Sequence, residues 1–301
     1  MIEWLQDLFD FIRFYRTRHP ELFWMELSAV LVIIGIIVWQ IISERQPKSK
    51  GTKKSKASKS SRALSGRMVF LIAALVAASI PFFLRFSGWF SQEEEIVIPA
   101  ESGYVFGIDV SHYSGTIDWN QVAKSHHPIR FVVVRATMGS TGKDRHFPDN
   151  WKNCFRSGWT RGAYHYYRPG DDPVLQFRNY SRTVELTTGD FRPILDVERA
   201  GRLSDEKLRA GVLEWLKLAE EKFGVRPIVY TGLSFYRKHF EGHLTGYPLW
   251  IAAYDGEHRL GGIPWSIHQF TDKLSVTGVG EYVDGNNFNG TQSELKSLCI
   301  P

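Results

Sequence analysis

The spacing of apolar and polar residues changes character along this chain. Residues 3–16 place Trp4, Leu8, Phe11 and Tyr15 at helical spacing, with acids, Arg13 and Arg16 between them. This predicts an amphipathic helix, suited equally to a membrane surface and to docking on another protein face. Residues 24–42 are nearly all apolar, and 68–84 form a second apolar run free of charge. At about 1.5 Å per helical residue, such runs approach the thickness of a bilayer's hydrocarbon core. Two transmembrane helices are therefore expected, at 24–42 and 68–85. A cleavable signal peptide fits neither run. The first starts too far from the N-terminus, and no small-residue cleavage site follows the second.

Beyond residue 103 the apolar segments shorten and alternate with amphipathic ones. Strands are expected at 104–110, 131–135, 162–167, 193–197, 227–230, 249–253, 265–270 and 282–284. Asp118 reads as a helix N-cap, and residues 145–157 as helical. Asp172 followed by Pro173 opens a helix to Leu186, and Ser204 caps a strongly periodic one to Phe223. Helical signals fade between the last strands. β-Branched strands alternating with helices predict a parallel sheet covered by helices. So many strands in about 200 residues predict an α/β fold closed into a β/α barrel whose late helices have been trimmed. An open doubly wound sheet is the other arrangement. No phosphate-binding or dinucleotide fingerprint follows any strand.

Charge sharpens the domain picture. Residues 43–67 hold nine Lys/Arg against one Glu, whereas 103–301 are nearly balanced, so the overall net charge of +5 belongs mostly to one short segment. Alone, that segment could be a nucleic-acid tail. Between two apolar spans it is better explained as a basic cytoplasmic loop, retained inside by its charge, and no nucleic acid is expected as partner. The expected plan is an amphipathic segment (1–23), a span (24–42), the loop (43–67), a second span (68–85), a linker (86–102) and a barrel domain (103–301). The barrel then faces the exoplasmic side of a bacterial membrane, in the cell envelope. Cys154 and Cys299 could pair or stay free.

The candidate chemistry centres on the strand Pro193–Val197 and the residue after it. Strand side chains alternate faces, so Asp196 and Glu198 point one way and Leu195 and Val197 the other. Two neighbouring acids at the end of an apolar strand oppose each other's ionisation, so one should hold a proton near neutral pH, as a general acid must. Asp109 and Asp284 also lie at strand ends, where barrels carry their catalytic groups. Tyr164, Tyr166, Trp250 and Tyr254 are aromatics at strand ends, where packing is the commoner role and stacking on a flat ligand such as a sugar the other. No His spacing resembles a metal site, and no cofactor is expected.

The stretches Gly107-Ile-Asp-Val-Ser-His-Tyr-Ser-Gly115, Asp118-Trp119, Arg135-Ala-Thr137, Gly162-Ala-Tyr-His-Tyr166, Ile194-Leu-Asp-Val-Glu198, Leu249-Trp-Ile-Ala252 with Tyr254, and Val283-Asp-Gly-Asn286 resemble glycoside hydrolase family 25. These are the lysozymes, or N-acetylmuramidases, and the resemblance spans about residues 104–290. It implies an irregular TIM-like β/α barrel with five β/α units followed by plain strands, and hydrolysis of the β-1,4 bond between N-acetylmuramic acid and N-acetylglucosamine in peptidoglycan. By the same resemblance Glu198 is the acid that protonates the leaving oxygen and Asp196 the carboxylate beside it. Asp109 and Asp284 match acids on the first and last strands, and Tyr166, Trp250, Tyr254 and Gln269 are the substrate-binding candidates. Asp196 would either attack the sugar or orient the substrate's N-acetyl group. The family usually carries an aromatic where this chain has His268 and a larger residue where it has Gly285, departures expected to bear on the shape of the rim rather than on activity. A membrane-tethered module that binds peptidoglycan without cleaving it is the alternative of a different class.

Overall fold

The computed structural model of the chain describes residues 103–301, together with Trp24, Ser28 and Gly35. The amphipathic segment, the basic loop, the second apolar run and all of the first run but those three residues lie outside the described part. Among the described residues no helix is long and apolar enough to cross a membrane.

The barrel wall is built from β1 (Val105–Val110), β2 (Phe131–Met138), β4 (Thr160–Tyr166), β5 (Ile194–Asp196), β6 (Ile228–Gly232), β7 (Leu249–Ala252), β8 (Trp265–Leu274) and β9 (Val283–Phe288). The short β3 (Gly142–Lys143) adds a hairpin to β2. Neighbours run β1-β9-β8-β7-β6-β5-β4-β2, and β2 pairs back to β1, which closes the sheet and excludes the open alternative. Each of the eight expected strands is present. One feature differs from the parallel sheet expected: β9 is antiparallel to both β8 and β1. The cause is the connection 275–282, which carries no helix. A parallel return needs a crossover of about a dozen residues or more, whereas a short connection reverses the chain into a hairpin.

Helices α1 (Trp119–Val122), α2 (Phe147–Arg156), α3 (Pro173–Thr183), α4 (Asp205–Phe223) and α5 (Leu233–His239) follow β1, β2 with its hairpin, β4, β5 and β6. The short α6 (Gln292–Leu295) follows β9. The expected caps form: Asp118 accepts from the Asn120 and Gln121 amides, Asp172 from Leu175 and Ser204 from Lys207. Helix α3 stops at Thr183 rather than Leu186. The β-branched Val184 turns to extended backbone (φ −106°, ψ 123°) and is buried in the core. No helix longer than a 3-10 turn follows β7, and none follows β8.

Strand alternation sorts the apolar residues into two cores. Phe106, Ile108, Val132, Val134, Leu195 and Ile251 face outward into the helices. Val105, Phe131, Val133, Ile194, Ile228 and Ile267 face inward. Gly107 makes the inner packing possible, because the Phe131 ring occupies the space that a Cβ there would need. The C-terminal turn closes the floor, where Leu295, Leu298 and Cys299 join the inner core and Cys299 bridges to Phe191. Floor and wall together leave the C-terminal ends of the parallel strands as the open mouth. Both cysteines are free and buried.

Candidate active site

Strand β5 delivers the acid pair. Ile194 lies in the inner core and Leu195 and Val197 in the outer one, so Asp196 faces the barrel interior. Asp196 is 5% exposed, and its Oδ1 is buried with no hydrogen-bond partner. Burial, then the neighbouring Glu198, then Asp109 push its carboxyl well above the usual range, against the opposing pull of Arg135 and Arg199. Burial and two like charges thus disfavour the ionised form of Asp196. Glu198 lies beyond the strand's last residue and is exposed at the mouth.

Asp109, at the end of β1, is the best-supported acid. Its Oδ2 accepts from Gln269 Nε2 at 2.9 Å and from Asn286 Nδ2 at 2.8 Å. Gln269 Oε1 in turn accepts from the hydroxyls of Tyr230 and Tyr254, each at 2.8 Å. Asn286 Oδ1 accepts from the Trp250 indole N–H at 2.9 Å. Asp284 sits directly across from Asp109 in the antiparallel register of β9 against β1. It was expected at a strand's C-terminal end and instead lies near the start of β9. The reversed direction of that strand brings it to the same mouth.

A second polar group borders Asp196. Arg135 on β2 donates to Asp144 Oδ2 at 3.0 Å, contacts His112, and lies 4.9 Å from the Tyr113 ring centre. Asp144 also accepts the His112 and His146 backbone amides. Burial opposes its charge, yet the His112 hydrogen bonds and the Arg135 guanidinium hold its carboxyl well below the usual range.

The structure separates the binding candidates. Tyr254 is 51% exposed and presents a ring at the mouth. Tyr166 is half-buried with the Arg199 guanidinium 5.7 Å above its ring. Trp250 is 2% exposed, lies edge-on to Tyr230 at 4.8 Å and packs in the inner core. Gln269, also 2% exposed, has both ends of its amide committed to the network. The two family departures do not shape the rim. His268 points away from the barrel interior, between Trp265 and Phe270, and bonds the Ala253 carbonyl. At Gly285 a Cβ would press on Phe270 and Thr271 at 3.0 Å, so the absent side chain makes room for wall packing. His165 lies outside the barrel, fully buried on Trp215 and bonded to Thr137 and Gln176.

Asn286, Tyr230, Arg135 and Asp144 escaped the sequence reading as site residues. Asn286 carried one signal: it is two residues beyond Asp284 on the same strand, and so shares its face.

Comparison with known proteins fits this geometry. Residues 108–279 match the model for glycosyl hydrolases family 25. The chain is 38% identical over 227 residues to protein YegX of Escherichia coli K12, covering 74% of this chain and 83% of that one. It is 28% identical over 227 residues to lysozyme M1 of Streptomyces globisporus, covering 69% and 75%. The crystal structure of the bacterial lysozyme from Streptomyces coelicolor superposes with a TM-score of 0.61 at 27% identity, over 66% of this chain and 99% of that one.

Proposed function

Because the chain belongs to glycosyl hydrolases family 25, we propose that it is a muramidase cleaving the β-1,4 bond between N-acetylmuramic acid and N-acetylglucosamine in peptidoglycan. The observation that carries this reading is the acid pair at the barrel mouth, one carboxyl buried and proton-holding, the other exposed. The lysozymes among its relatives support the substrate class.

In this mechanism Glu198 takes up a proton as bound substrate shields it from water, and gives it to the glycosidic oxygen, a poor leaving group until protonated. A protonated Asp196 is a weak nucleophile and a good hydrogen-bonding group. That favours its role in holding the 2-acetamido group of the muramic acid over direct attack. The acetamide oxygen then forms the bond to C1 as the leaving oxygen departs with the Glu198 proton. A water, deprotonated by Glu198, opens the resulting ring and restores both groups. Asp109 and Asp284 add negative charge at the mouth, where the oxocarbenium-like centre develops. Tyr254 and Tyr166 line the approach.

The two apolar runs and the basic segment between them support anchoring in a bacterial membrane, with the barrel on the exoplasmic side. Topology reporters fused after residues 20, 55 and 301 test this: reporters at 20 and 301 should be active outside and that at 55 inside.

The activity is tested by incubating the detergent-solubilised chain with purified peptidoglycan and identifying new reducing ends. Muramic acid ends that vanish in Glu198→Gln are the expected result. Intact glycan with the protein retained on the wall would sink the enzyme reading in favour of a binding module.

A further inference from the structure

Two of the side chains that meet at Asp109 are carboxamides, and a carboxamide has two ends. Which end faces the acid decides whether the contact stabilises its charge or repels it. In this barrel one of the two, Asn286, is oriented by a group that can act in only one sense. The Trp250 indole has a donor and no acceptor, so it fixes Asn286 with Oδ1 toward itself and Nδ2 toward Asp109. Gln269 Oε1 faces two phenol hydroxyls, Tyr230 and Tyr254, which leaves Nε2 for Asp109. Asp109 Oδ2 therefore receives two N–H donors in a site where it is 6% exposed, while Asn286 is fully buried and Trp250 nearly so.

We propose that Asn286, locked by the Trp250 indole, is a positioning residue that holds Asp109 as the ionised, acceptor-only acid of the barrel mouth. The assignment of this role rests on the glycosidase reading above, but the charge state itself does not. An ionised Asp109 is a reason for its neighbour Asp196 to keep a proton, so the lock divides two buried acids into one charged and one neutral. The titratable and charged groups around the pair are Tyr164 on β4, Glu198 beyond β5, Tyr230 on β6, Tyr254 after β7, Asp284 on β9, and Arg135 on β2 and Arg199 beside Asp196. Tyr164 and Tyr230 remain neutral phenols, burial raising both well above their ordinary range.

The test titrates the acid directly. The full chain is solubilised in detergent with aspartate labelled at the side-chain carboxyl carbon, and Asp109→Asn assigns the signal. In the native protein Asp109 should ionise below the ordinary aspartate value of about 3.9. In Asn286→Leu its lowest step should rise by about one unit or more, a tenfold weaker hold on the charge. The acid limb of kcat/KM should move upward with it, with KM changing less than twofold. Trp250→Phe, which frees Asn286 to turn, should shift the step in the same direction. Should Asn286→Leu not fold, Trp250→Phe and Gln269→Leu carry the same readout. An Asp109 step that stays put in folded variants overturns the proposal, and so does a native Asp109 that ionises above the ordinary value. A native protein without turnover would defeat the muramidase reading while the titration still decides the lock.

Discussion

The two sides of the barrel wall solve the same problem differently. Strands β1, β2 and β4–β6 are covered by helices α1–α5, whereas β7–β9 run with at most a 3-10 turn between them. The helical side supplies carboxylates at its strand ends, and Asp196 there is buried with Oδ1 unpartnered and its charge disfavoured. The plain side supplies chiefly neutral donors, Gln269 and Asn286, backed by the hydroxyl of Tyr254 and the indole of Trp250. Asp109 stands on the seam between them, because β1 pairs with both β2 and β9. Burial beside like charges disfavours an acid's ionised form, and two N–H donors favour it. One mouth can thus hold carboxyls in opposite protonation states.

The largest effect should come from the exposed acid of the helical side. Glu198→Gln should lower kcat on peptidoglycan by about 100- to 10,000-fold, the span associated with losing a general acid. Glu198 is exposed and lies past the strand, so the melting temperature should stay within about a degree. A large loss of stability in this variant would reassign Glu198 to the framework.

The next effect probes the outer layer of the same side. His165 is buried against Trp215, and burial lowers its pKa to about 4 from 6.5. The unfolded chain binds this proton more readily than the folded one. The stability His165 allows is therefore fully present above about pH 6.5 and is lost as the pH falls towards 4. The loss is on the order of 3 kcal/mol. Urea unfolding at pH 7 and pH 4.5 should show it in the native protein and largely not in His165→Gln. Equal acid sensitivity in both would place the protonation elsewhere.

The comparison of Asp196 with Asp109 can be made with two conservative substitutions. Asp196→Asn removes a buried acid whose folded pKa is raised. Such a group's contribution is intact below the unfolded value of about 3.9 and falls as the pH rises through the folded one. The variant should therefore gain stability over the native protein as the pH is raised from about 4 to 8. Asp109→Asn should lose about 1–2 kcal/mol at neutral pH, because two charge-assisted hydrogen bonds become ordinary ones. Opposite signs are the point, and matching signs would mean that the two acids are not held in different states.

Much of this was legible in the chain, and what was not has a physical pattern. The eight strands, the caps at Asp118, Asp172 and Ser204, and the pairing of Asp196 with Glu198 depend on residues close in sequence. The direction of β9 depends on what the connection 275–282 lacks, and strand patterning is blind to direction. Trp250 was legible as an aromatic near a strand end, but a strand's alternation does not say that its indole bonds Asn286. Asn286 reaches Asp109 across 177 positions, so its role exists only once the barrel is closed.

The smallest expected effect concerns the outer face of the plain side. His268 differs from the aromatic usual in the family, yet it is 2% exposed, packs edge-on to Trp265 and Phe270, and has its Nε2 2.9 Å from the Ala253 carbonyl. His268→Phe keeps the ring, supplies the usual aromatic, and leaves that carbonyl without its partner. Leaving a buried acceptor unpaired costs about 1–3 kcal/mol, and the larger apolar ring offsets part of that. The net change should be a loss of about 1 kcal/mol, read by urea unfolding. Gln269 faces the opposite side of the strand and keeps its contacts, so kcat and KM should remain within about twofold of the native values. A tenfold change in KM would show that packing behind the wall reaches the mouth, and that the plain side is not the rigid support its hydrogen bonds imply.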